Sequence, residues 1–105
     1  MELPNLTYIN ELSGDNLQFK EKLIQIIKKE LPMEVQAYDD AIKENNFKLA
    51  ASCVHKLKHK VSILGLEKSY YIAEEFENNL KENSTNLQSD FQAILVLMQD
   101  FVDEL

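Results

Sequence analysis

An all-α fold is predicted for this chain: an antiparallel up-down-up-down four-helix bundle, with short N-terminal helices capping one end. Three observations lead there. The chain has 105 residues, 45% of them apolar, which makes one domain over residues 1–105 with a single core. It contains only two glycines and two prolines, too little punctuation for a sandwich or barrel that turns every 8–12 residues. Its long segments repeat apolar residues at intervals of three and four, the period of a helix with one buried face.

The elements follow in order. Pro4-Asn5 precedes a short apolar-polar stretch, Leu6 to Leu12, which Ser13-Gly14 ends. Asp15 and Gln18 have the D-x-x-Q spacing of a capping box, and Phe19, Leu23, Ile26 and Ile27 carry helical spacing to Leu31-Pro32. Proline disfavours helix at the preceding residue and donates no hydrogen bond, so a break is predicted there. An unbroken helix from 15 to 45 would reach about 46 Å and overhang partners of roughly 24–28 Å. The expectation is therefore that 33–45 joins the bundle while 15–30 folds over one end.

Asn45-Asn46 supplies a stop and an N-cap. Phe47, Ala50, Val54, Leu57, Val61 and Leu64 then form one face of a helix over 47–64, with Gly65 where a left-handed C-terminal cap belongs. Leu66, Tyr70, Ala73, Phe76 and Leu80 define a helix over 67–82. A second capping box, Thr85 to Gln88, opens a last helix over 86–104. Connections of two to four residues force neighbours antiparallel.

Composition excludes several classes of function. Eleven cations, all lysine, against 18 acids give a net charge of −7, a poor match to nucleic acid, whose phosphates demand a basic face. No apolar run approaches 18 residues and no signal-peptide pattern opens the chain, so no membrane span is expected. A lone cysteine, Cys53, excludes an internal disulfide framework and fits a reducing, cytoplasmic compartment. With only Gly14 and Gly65 available, no glycine-rich phosphate loop exists, and the chain is not expected to bind ATP or to be a kinase.

The chemistry concentrates on the third long helix. Ala51, His55, Lys58 and Ser62 form a second stripe beside the apolar one, predicted to face outward, and His59 lies one turn beyond His55. His55 falls about 130° from the centre of the apolar face. Four lysines and no acid occupy 48–60 in an otherwise acidic chain. A neutral, accessible imidazole is a good nucleophile towards an activated phosphoryl group. Lys58, with His59 and Ser62, would supply charge and donors to the oxygens it receives. The His55/His59 pair also has the spacing of two zinc ligands, but no third ligand or acid lies near and the local charge is positive, so no metal site is expected.

At these residues the chain resembles a known family. His55-Lys56-Leu57-Lys58 followed by Leu64-Gly65 is similar to the H-x-L-K-(x5)-L-G signature of histidine-containing phosphotransfer (HPt) domains, and the likeness runs on through Ala73 and Phe76-Glu77, covering roughly residues 15–100. The resemblance implies a phosphocarrier more than a stand-alone enzyme. His55 would take a phosphoryl group from an aspartate on one response-regulator receiver domain and pass it to another. Lys58 would stabilise its charge, with His59, Ser62, Ala51 and Gly65 in support. Partners would be receiver domains or a hybrid sensor histidine kinase, Mg²⁺ would reside on the receiver, and the chain would act as a monomer without a cofactor of its own. Many members carry glycine where this chain has His59. The rival reading is a non-catalytic acidic helical adaptor, which would tolerate glutamine at position 55.

Overall fold

The computed structural model describes residues 2–105 and is all-helical, with no strand among them. Five helices follow in order: α1 (Thr7–Ser13), α2 (Leu17–Lys43), α3 (Phe47–Ile63), α4 (Glu67–Lys81) and α5 (Gln88–Asp103). The molecule extends 45 × 23 × 19 Å. α3 packs against α2 and α4, α5 against α4 and α2, and α1 against α2. Their apolar faces meet in one cluster that buries Leu31, Tyr38, Val54, Leu57, Phe76, Phe91 and Met98.

The predicted break at Pro32 is absent. α2 runs unbroken through the proline for 27 residues, about 40 Å, and 15–30 is its first half, not a separate lid. Only α1 is a short N-terminal helix. The energetic comparison explains the outcome. An interior proline costs about 3 kcal/mol, whereas each buried large apolar side chain contributes roughly 1.5–3 kcal/mol. Ile27, Leu31 and Tyr38 are 0–1% exposed, and a single helical register puts all three on the core side. Proline itself stays exposed. The overhang that the length argument anticipated is real: Leu17, Phe19 and Ile26 are 72%, 45% and 42% exposed.

Helix ends divide into those legible in sequence and those not. Asn46 caps α3, its Oδ1 accepting from the Leu49 N–H at 3.1 Å. Asn45, Gly65 and Asn83 are left-handed, with φ of 55°, 76° and 62°, so α2, α3 and α4 all close with paired backbone bonds of the kind Leu66 N–H to Val61 C=O and Gly65 N–H to Ser62 C=O. The two capping boxes do not form. Asn16, not Asp15, caps α2 by accepting from the Phe19 N–H at 3.0 Å, because the Ser13–Asn16 turn delays the helix by one residue. Before α5, Asn79 and Ser84 hold the loop through Asn86, and Leu87 at φ 77° precedes the helix without a side-chain cap.

The segment before α1 is tied down. The Asn5 N–H donates to the Leu64 carbonyl at 2.8 Å, and the Glu2 carboxylate accepts from the backbone N–H groups of Lys68 and Ser69 at 2.9 and 3.0 Å. Those donors open α4 and have no partner within their own helix. A Cβ at Gly65 would meet the Asn5 side chain at 2.6 Å, so glycine meets both the left-handed turn and this close approach.

Candidate functional site

His55 stands on the middle of α3 with 56% of its side chain exposed. Its Nδ1 lies 3.3 Å from both carboxylate oxygens of Glu77 on α4. A carboxylate only accepts, so Nδ1 is the ring nitrogen that donates to it, and in the neutral ring Nε2 is the one left with a lone pair. One edge of the imidazole is thereby held against the neighbouring helix, and Nε2 lies on the other.

Glu77 is the residue that sequence reasoning missed as a site component. It is buried, with 7% of its side chain exposed, and three cationic or donor groups meet it: Lys58 Nζ at 2.9 Å, Lys81 Nζ at 3.1 Å and His55. Burial alone would raise its pKa. Hydrogen bonds from Lys58 and Lys81, the Lys58 charge and the His55 contact outweigh burial and hold the carboxyl below its usual range. A signal was present, because 77 lies four residues after Ala73 and three before Leu80, putting a carboxylate on the apolar face of α4.

Lys58 requires a correction. Expected on an exposed stripe, it is only 7% exposed, its ammonium paired with Glu77 and 5.5 Å from the centroid of the Tyr70 ring. Burial would lower its pKa, but the Glu77 hydrogen bond and charge, with smaller help from Tyr70 and Glu74, carry it above the ordinary lysine value. Ala51 is likewise buried, at 2%, whereas His55, His59 and Ser62 are exposed. The stripe is split because α4 packs on that flank of α3. A small Ala51 and the aliphatic stem of Lys58 fill the seam, and Glu77 receives the charge. Lys60 mirrors this on the opposite flank, 8% exposed and paired with Glu30 and Glu34 of α2 at 3.1 and 3.3 Å.

An open groove follows the α3–α4 seam beside the His55 ring. Its floor is Ala51 and Leu80, and Lys48, Ser52, Lys56 and Lys81 line it. His59 stacks edge to face on His55, with centroids 5.5 Å apart. Ser62 and Gly65 lie further along, beside Tyr70 and Tyr71 in a second depression. Burial pushes the half-buried Cys53 thiol up, away from reactivity. Among the described residues no three His, Cys, Asp or Glu side chains converge as metal ligands, and no helix is long and apolar enough to cross a membrane.

Comparison with known proteins adds one match: the family model described as Hpt domain fits residues 22–105. No curated protein and no solved structure matches the chain.

Proposed function

This chain belongs to the Hpt domain family, whose role is phosphotransfer in phosphorelay signalling, and on that premise we propose that His55 is its phosphoacceptor. The observation that carries the reading is the divided imidazole: Nδ1 held by Glu77 at 3.3 Å on a ring still 56% exposed. An exposed histidine without a partner turns freely and exchanges tautomers. This one has a defined tautomer on a stiff helix, as a nucleophile requires.

The reaction we assign is reversible transfer from the aspartyl phosphate of a receiver domain. Nε2 of His55 attacks phosphorus in line as the bond to the aspartyl oxygen breaks, releasing a carboxylate on the receiver through a loose transition state. Glu77 balances the positive charge that develops on the ring. Lys58, fixed beneath the carboxylate, keeps that buried charge from being unfavourable, and so acts on the phosphoryl group through Glu77. Mg²⁺ held by the receiver would neutralise the phosphoryl oxygens during transfer. The product then gives its phosphoryl group to a second receiver by the same route reversed.

The packing scheme supports an antiparallel up-down-up-down bundle of α2–α5. The connections 44–46, 64–66 and 82–87 are short, and α5 returns to α2 to close the ring of contacts. One core cluster supports a single domain over 1–105. For docking, we assign the exposed apolar side chains of α1 and the first half of α2, namely Tyr8, Leu12, Leu17, Phe19 and Ile26. Large apolar groups left in water at this density mark an interaction surface.

Incubation with a ³²P-labelled phosphoreceiver tests the assignment. Label should pass to the chain as an acid-labile, base-stable phosphate, and His55→Gln should abolish it while helicity and melting stay unchanged. Undiminished labelling of the glutamine variant would refute it.

A further inference from the structure

We infer that His59 is a second ligand of the phosphoryl group, donating an N–H to an oxygen of the phosphate carried on His55 and lengthening the life of the phosphohistidine. The inference rests on His55 being the acceptor. His59 follows it by one helical turn, and the two rings meet at 5.5 Å between centroids with planes at 70°. Since Nδ1 of His55 is turned to Glu77, a phosphoryl group on Nε2 projects from the opposite, solvent-facing edge of the ring. Exposed His59 is the ring adjoining it on that helix surface.

Three of the nearby lysines are committed elsewhere, while Lys48 and Lys56 line the α3–α4 groove with Glu77. Lys58 is buried against Glu77, Lys81 pairs with the same carboxylate, and Lys60 is held by Glu30 and Glu34 on the far flank. No carboxylate among the described residues lies within ion-pair distance of His59. Its imidazole therefore has a donor to offer, and α3 supplies both groups in fixed register.

The chemical consequence has a definite sign. Loss to water breaks the Nε2–P bond, joins the water oxygen to phosphorus and returns a proton to the imidazole. In the loose transition state the departing group resembles metaphosphate, which carries less charge on its oxygens than the bound phosphate. A donor on those oxygens stabilises the bound state more than the transition state, and so slows the loss.

Phosphoramidate, a small donor that needs no partner protein, makes the test direct. The chain is phosphorylated, the reagent removed, and decay followed by ³¹P NMR in wild type and in the His59→Ala, His59→Gln, Lys56→Ala and His55→Gln variants. His59→Ala should shorten the half-life about two- to tenfold, the range of one net hydrogen bond. His59→Gln, which keeps an N–H, should recover part of it, and Lys56→Ala should decay as wild type. An unchanged half-life in His59→Ala, or a shortened one in Lys56→Ala alone, overturns the inference while leaving His55 as acceptor. Phosphate found on His59 instead of His55 in the wild-type chain overturns the acceptor assignment itself.

Discussion

Lys58 Nζ lies 2.9 Å from Glu77 Oε1, and neither side chain is more than 9% exposed. The pair joins α3 to α4 directly beneath His55, whose Nδ1 shares the same carboxylate. Helix packing and the orientation of the imidazole therefore depend on one carboxyl group. Removing either charge strands the other, and stranded buried charges are costly.

Glu77→Ala is expected to destabilise the fold by about 3–5 kcal/mol, the range for breaking a buried pair from one side. Glu77→Gln should cost less and still slow phosphorylation of His55, because a neutral amide holds the imidazolium poorly. Urea unfolding and label transfer measure the two effects. A Glu77→Gln variant that accepts phosphate at the wild-type rate would remove Glu77 from the site.

The same pair contributes to the pH limits of stability. Glu77 is depressed in the folded state, so its contribution is present above the unfolded carboxyl value of about 4.3 and is lost as pH falls through the lower folded value. Lys58 is raised, so its contribution is complete below about 10.4 and is lost as pH rises through the higher folded value. Urea midpoints across pH should form a plateau with both limbs outside it. Glu77→Gln should flatten the acid limb, and an acid limb identical to wild type would exclude Glu77 as its source.

Pro32→Ala should stabilise the protein by about 1–3 kcal/mol, since alanine restores a backbone donor and relieves the ring's clash inside α2. The position is exposed, so nothing in the core is disturbed. A lowered urea midpoint would mean that the packing of α2 needs a bend imposed by the proline.

Tyr38 packs edge-on against Phe76 and Phe91, with centroids at 6.2 and 5.2 Å. Its hydroxyl is buried without a protein partner, and burial, with Asp39 adding to it, holds the phenol well above its ordinary value. Tyr38→Phe keeps the ring and removes the stranded polar group, so stability should rise by about 1 kcal/mol. A loss of stability in thermal melts would show that the hydroxyl is satisfied.

Much was legible from residue order alone. Intervals of three and four predict α3 over 47–64 and α4 over 67–82, within a residue of Phe47–Ile63 and Glu67–Lys81. Asn46 and Gly65 announce their turns because capping and positive φ are local requirements. The exposure of His55 followed from its angle to the apolar stripe. Pro32 misled for the same reason that these succeeded: local preference is a small free energy, and burial of Ile27, Leu31 and Tyr38 outweighs it once the rest of the core is in place.

Sequence by itself determined the helical class, the course of α3 and the histidine that projects from it, since each depends on a period within one segment. Only tertiary structure decided which flanks of α3 are covered. Burial of Lys58 and Ala51, the grip of Glu77 on Nδ1 and the unbroken course of α2 depend on where a neighbouring helix lies. The contact between His55 and Glu77 joins residues 22 positions apart, and no spacing within a single helix encodes it.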